Sequence, residues 1–282
     1  MEIESLLPTF EKLLREKSVK TLTNQKRQRK IGGGKTGVMK SDLHKLFFIL
    51  FYLKCYPTFD LAGFVYSVDR SRTCRWAQTL LPLLEKTLGR NLVLPERQVT
   101  TLDELFKHFP ETKELFIDGT ERRVQRPKDS KKQKKLYSGK KKFHSRKNLI
   151  ISNERKEVLY LSPTTSGKTH DFKIALTESI PKILPENIPT NLDTGFQGIR
   201  DHVKNPSMIF MPQKKPRNGE LTSDQKETNH IISSIRVRVE HTISGIKRMN
   251  CLVHIYRNRK GQDDSYINAS AGLWNYHQRM RG

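Results

Sequence analysis

The stretch Leu115-Phe116-Ile117-Asp118-Gly119 decides how the rest of this chain is read. Three apolar residues followed at once by Asp-Gly are the pattern of a short buried strand that ends on an acid. The same texture recurs downstream. Asn148 to Ser152 and Val158 to Ser162 read as two further strands, joined by the charged turn Asn153 to Lys156. His170 to Leu184 reads as a helix, and Asn191-Leu192-Asp193 as the end of a fourth strand. Gly195 to Val203 reads as a helical turn, and Met208 to Met211 as a fifth strand stopped by Pro212. A long helix follows, from about Ser223 to Met249. This alternation predicts an α/β domain, a mixed sheet with flanking helices.

Upstream of Leu115 the periodicity is helical. Residues 1–20 form an amphipathic pattern with Leu6, Leu7, Phe10, Leu13 and Leu14 on one side. Lys26 to Lys40, broken by Gly32-Gly33-Gly34, reads as a loop or flexible arm. Ser41-Asp42 can cap a helix carrying Leu43, Leu46, Phe47, Leu50 and Phe51; Pro57-Thr58 stops it and starts another, Phe59 to Tyr66. After the break Ser67 to Arg70 comes a third helix, about Ser71 to Leu88, with Arg70, Arg72 and Arg75 near its start. Two helices joined by a tight turn, the second basic at its N-terminal end, match a helix-turn-helix whose arginines contact DNA. The competing reading is a helical bundle with a solvated basic edge. The expected division is residues 1–100, all-α and DNA-binding, and residues 101–282, catalytic.

Charge narrows the function. Fifty-three Lys and Arg stand against 29 Asp and Glu in 282 residues, a formal +24, which points to a polyanionic partner, nucleic acid first. No run approaches the ~18 apolar residues of a membrane span. Met1 to Phe10 carries Glu2 and Glu4 and lacks the cationic start of a secretory signal. Cys55, Cys74 and Cys251 form no CxxC pair, so they read as reduced, semi-buried thiols of a cytoplasmic protein. The charge concentrates in Arg122 to Lys147, with 13 Lys or Arg in 26 residues and one acid, Asp129. This block holds Tyr137, Phe143 and His144 among its cations, and it closely follows the first candidate acid, Asp118, which favours phosphate contact over a solvated run.

Three acids stand out. Asp118 and Asp193 end the first and fourth strands, and Glu240 lies mid-way along the last long helix. If those strands are neighbours, the aspartates converge on one sheet edge and a crossing helix delivers the glutamate. Three hard oxygen ligands suit Mg²⁺ or Mn²⁺, and two such ions serve phosphoryl transfer. Singly, each acid has a blander reading: Asp before Gly is a common turn former, and a mid-helix Glu is usually solvated. Arg236, Glu240 and Lys247 share one helix face, beside a stripe of Val239, Ile243 and Ile246. That fits a ligand flanked by phosphate-binding cations, or an ion-paired surface. Ser162 to Thr169 imitates a phosphate-binding loop. It lacks the first glycine and has Pro163, which has no N–H to offer. His170-Asp171 opens a helix; Asp171 reads as a cap there, with an accessory place in the site as the minority reading. His241, Trp76 and Trp274 read as structural.

The quoted motifs carry a resemblance. Phe116-Ile117-Asp118-Gly119-Thr120-Glu121 resembles the first-aspartate motif of DDE-superfamily transposases from bacterial insertion sequences. Tyr137-Ser138-Gly139-Lys140-Lys141-Lys142-Phe143-His144 resembles the group's basic block, and Gly167 to Asp171 its glycine–histidine–aspartate turn. Asp193-Thr194-Gly195-Phe196-Gln197-Gly198 is similar to the second-aspartate motif, and Arg238-Val239-Glu240 with Ile243 and Lys247 to the signature around the glutamate. The group is also similar to Harbinger-type transposases. The resemblance covers roughly residues 40–280. It implies a ribonuclease H-like core and Mg²⁺- or Mn²⁺-dependent cleavage and strand transfer at Asp118, Asp193 and Glu240. It further implies double-stranded DNA partners, both terminal inverted repeats and target, a homodimer or higher on DNA, and a nucleoid-associated bacterial protein.

Overall fold

The structure, a computed structural model, describes residues 2–23, 37–217, 219–258 and 261–281. Most of the expected glycine-broken arm falls at 24–36 and lies outside the described residues. The helices are α1 (Glu2–Thr23), α2 (Asp42–Cys55), α3 (Phe59–Val65), α4 (Arg70–Arg90), α5 (Leu102–Phe106), α6 (Ser130–Leu136), α7 (Asp171–Thr177), α8 (Ser223–Ile246) and α9 (Asp263–Arg281). The strands are β1 (Leu115–Arg123), β2 (Tyr137–Ser138), β3 (Phe143–Asn153), β4 (Val158–Leu161), β5 (Thr165–Ser166), β6 (Thr190–Leu192) and β7 (Ile209–Phe210). They fall into two compact units, one of residues 1–94, 249–251 and 265–282, the other of 95–248 and 252–264.

The first unit is all helical. Its boundaries are set by side-chain caps of the sort worth about 1 kcal/mol each. Ser41 Oγ accepts from the His44 amide, Thr58 Oγ1 from Leu61, and Asp69 Oδ1 from Ser71. α2 ends where Tyr56 turns left-handed (φ 46°), just before Pro57. Leu46, Phe48, Ile49, Tyr52 and Leu53 bury its inner face, and Trp76 packs edge-on against Phe48 and Tyr66. α3 and α4 meet through a tight turn: a Cβ on Gly63 would lie 2.6 Å from the Val68 carbonyl, so only glycine permits this approach. Arg70, Arg72 and Arg75 are exposed at the start of α4. From Ser265 onward α9 belongs to this unit, where the sequence reading assigned residues 101–282 to the catalytic half. Tyr266 packs edge-on against Tyr52 and Tyr56, and Gly272 lies directly on Leu88 and Leu94. α9 was not read from the sequence at all, nor were α5 and α6.

The second unit is a mixed sheet with flanking helices. Its main strands run in the order β4-β3-β1-β6-β7, with β3 antiparallel to β1, β6 parallel to β1, and β7 parallel to β6. That is the expected ribonuclease H-like arrangement. Ile117, Leu149, Ile151, Leu159, Leu192 and Ile209 anchor a core that Ile174, Ile180 and Phe196 complete. Two strands are longer than expected. β1 does not stop at Asp118 but runs to Arg123, and β3 begins at Phe143, because the antiparallel pair continues from Leu115↔Asn153 to Arg123↔Ser145. That extension sets Arg122 opposite Arg146, a like-charge pair that ordinarily destabilises a ladder. Asp263 resolves it, binding Arg146 at 2.5 Å and Arg122 at 3.5 Å. The helix expected over 170–184 stops at Thr177, since Ser179 is left-handed and Pro181 follows in a short 3₁₀ turn. Within the basic block, Asp129 is the N-cap of α6, accepting from the Lys132 amide at 2.7 Å.

Candidate active site

The register places the two aspartates side by side. β1 and β6 pair as Leu115↔Thr190, Phe116↔Asn191 and Ile117↔Leu192, and the parallel ladder ends there. Asp118 and Asp193 are the next residue on each strand. At that point the chain after β6 turns away into a 3₁₀ turn, Thr194–Phe196. Asp118 Oδ1 accepts the Gly119 amide at 2.7 Å.

α8 packs on β1 and β6 through Ile232, Val239, Thr242 and Ile246. Its capping box, Thr222 with Gln225, fixes its start. Along the edge of the buried stripe Arg236 reaches down between the aspartates. Its guanidinium is 3.7 Å from Asp118 and 3.3 Å from Asp193, bridging both carboxylates. Glu240, one turn on, is exposed. The structure therefore brings Asp118 and Asp193 together, with Glu240 exposed one turn along α8 from the arginine that bridges them. Among the described residues no three His, Cys, Asp or Glu side chains stand as a ready metal cage. A guanidinium compensates the first two carboxylates. Even so, burial, with Asp193 and Asp171 nearby, outweighs the Gly119 amide and Arg236, and pushes the Asp118 carboxyl up to about 6.

A third carboxylate that the sequence reading favoured as a helix cap also belongs here. Asp171, the first residue of α7, packs against the backbone beside both aspartates: a Cβ on Gly119 would lie 2.5 Å from its Oδ1, and one on Gly195 3.4 Å from its Oδ2. Lys147 holds it at 3.0 Å and Glu121 at 3.4 Å, and is itself buried. Ser145 and Ser138 also donate to Glu121. Sequence reasoning missed Lys147 and Glu121. Their only signal is the β1–β3 register, which sets them directly opposite. His170 remains exposed, with no side-chain capping bond.

The remaining predicted cations divide. Lys140, Lys141 and Lys142 are exposed on the turn between β2 and β3, with Lys140 3.9 Å from Asp193. His144 is half-buried, edge-on to Tyr137. Lys247 caps the end of α8; burial, then Lys141 and Arg122, hold its ammonium below the usual lysine range. Arg238 turns to the other flank, paired with Glu114 at 2.7 Å and lying over the Phe116 ring. Arg122 and Lys147, at the ends of the basic block, are buried and internally paired. The phosphate-loop imitation is built otherwise: Ser162 Oγ accepts the Leu149 amide, and Gly167 is pressed against Ser145. Cys55 is exposed, Cys74 half-buried and Cys251 buried, and none of the three is in a disulfide. Among the described residues no helix is long and apolar enough to cross a membrane.

Comparison with known proteins assigns this architecture. The family described as DDE superfamily endonuclease matches residues 117–275, more than half of the chain, and the chain belongs to it. The helix-turn-helix of DDE superfamily endonuclease matches residues 44–90, spanning α2 to α4, and marks that unit as DNA-binding. The chain is 29% identical to a probable transposase for insertion sequence element IS702 from Microchaete diplosiphon, over 81% of this chain and 78% of the relative. No solved structure matches.

Proposed function

We propose that the protein is an insertion-sequence transposase that cleaves DNA strands at the ends of an element and joins them to a target. The observation that carries this is the side-by-side exit of Asp118 and Asp193 from the parallel pair β1–β6, under a helix that bears Glu240 between two cations. The donor set fits a hard divalent cation, Mg²⁺ or Mn²⁺: carboxylate oxygens only, already demanding a positive charge that Arg236 supplies. Asp118, Asp193 and Glu240 would hold the metal. When bound, it would activate the attacking oxygen and stabilise the leaving one.

The chain's own groups do the rest. Arg236 yields the carboxylates and, with Lys247, turns to the DNA phosphates. Asp171, held by Lys147, keeps both strand ends in place. Lys140 to Lys142 and His144 bind the backbone near the cut, while Arg70, Arg72 and Arg75 on α4 contact DNA through the helix-turn-helix. Terminal inverted repeats are the sequences to be recognised, and two ends imply a homodimer or higher. The test is cleavage in Mn²⁺ by the wild type and by Asp118→Ala, Asp193→Ala and Glu240→Ala, with joined products scored from a 3′-OH donor. Loss in all three variants is expected; unchanged cleavage in any one removes that residue from the site. Cleavage without joined products reduces the activity to that of a nuclease.

A further inference from the structure

Next to the aspartates lies a cavity of about 1000 Å³. That is the upper end of the roughly 300–1,000 Å³ typical of small-ligand sites. It accommodates a nucleotide or two.

Its lining is ordered by chemistry. Asp171 and Asp193 are part of it. Arg126, Lys134 and Lys140 of the basic block line it together with Lys168 and Lys214 from two other segments, so the fold adds cations from beyond the charge run to the positive field. Among these cations is one outward-facing ring. Tyr137 is 42% exposed although it lies on a strand of the sheet. Its cross-strand partner His144 meets it edge-on, with centroids 5.6 Å apart, and fixes its plane. Phosphate binding to duplex DNA needs no such ring. A held aromatic face inside a cationic cleft is the arrangement that binds single-stranded nucleic acid, the base stacking on the ring and the backbone tracking the cations.

We propose that this cavity receives an unpaired nucleotide of the DNA strand being processed, its base stacked on Tyr137 and its phosphates on Lys140 and Lys168, so that the strand leads to Asp193. The inference rests on the strand-processing reading above and adds what it leaves open, that the substrate is locally single-stranded at the site.

The experiment uses the full chain in EDTA, where no metal-dependent cleavage occurs. The probes are a hairpin duplex with 2-aminopurine in a short single-stranded overhang and a blunt hairpin with the same base inside the duplex. The wild type is expected to quench the overhang probe and to bind it on the order of tenfold more tightly than the blunt one. Tyr137→Phe keeps both effects. Tyr137→Leu, which keeps bulk without a π-face, loses both and binds the blunt hairpin within about twofold of the wild type. The proposal is overturned if Tyr137→Leu still quenches, if it weakens both hairpins equally, or if the wild type shows no preference for the overhang. Thermal unfolding checks that the variants are folded, and His144→Ala gives a second, weaker loss if Tyr137→Leu is not. Mn²⁺-dependent nicking is scored separately with the Asp118 and Asp193 variants. Intact nicking without quenching sinks the pocket alone, and quenching without carboxylate-dependent nicking sinks the catalytic reading alone.

Discussion

Arg236→Gln separates the guanidinium's two effects on the aspartate pair. Arg236 lies 3.7 Å from Asp118 and 3.3 Å from Asp193. At an effective dielectric of about 20, each contact is a gross attraction of roughly 4–5 kcal/mol. The three side chains keep 12%, 22% and 27% of their exposure, and desolvating them offsets much of that gain, leaving a net of about 2 kcal/mol. Replacement by glutamine keeps most of the packing and removes the charge. In EDTA the variant is expected to melt roughly 4–8 °C below the wild type, at about 2–4 °C per kcal/mol. With Mn²⁺ the order of effects reverses. The wild-type site must release Arg236 before it accepts a cation, whereas the variant presents two uncompensated carboxylates. Its Mn²⁺-induced rise in Tm should therefore exceed that of the wild type. A cation at a hundred times its Kd contributes about 2.7 kcal/mol, enough to erase the deficit. Differential scanning calorimetry in EDTA and across a Mn²⁺ titration measures both quantities. If the variant is as stable as the wild type in EDTA, or if Mn²⁺ raises both melting points equally, the guanidinium is not standing in for a metal.

Three further outcomes are expected. Asp118→Asn, metal-free, should be about 2–3 kcal/mol more stable than the wild type at pH 7 and equal to it below pH 4. The folded carboxyl keeps its proton to about 6 against an ordinary value of 3.8, so the wild type loses stability as pH rises through that window; a pH-independent difference contradicts this. Gly119→Ala should lose about 1–3 kcal/mol and most cleavage, because its Cβ meets Asp171 Oδ1 at 2.5 Å while Lys147 holds that carboxylate in place; an unshifted urea midpoint would show that the segment yields. Replacing Lys140, Lys141 and Lys142 together by alanine should lower the slope of log K against log salt by about 2–3; an unchanged slope removes this turn from the interface.

The sequence by itself determined the fold class, because buried strands and helices differ in the period of their apolar residues, and that period is local. It also marked Asp118, Asp193 and Glu240 as a set, through motif-like surroundings, and the arginines of α4 through the break that precedes that helix. It failed where the deciding partner is distant. Residues 118–123 are too polar to read as strand, and only the ladder with β3 extends β1 through them. α9 has no strong stripe of its own, and it is the aromatic pocket of Tyr52 and Tyr56 that takes in Tyr266. Asp171 read as a helix cap because sequence shows the helix start and not the Lys147 ammonium 3.0 Å away. Arg236 read as a phosphate-binding cation because sequence shows its helix face and not what that face covers. Tertiary structure alone decided that the two aspartates emerge side by side and that a guanidinium balances them. Charges at a site repel or attract across the fold, and their balance exists only once the strands carrying them have paired.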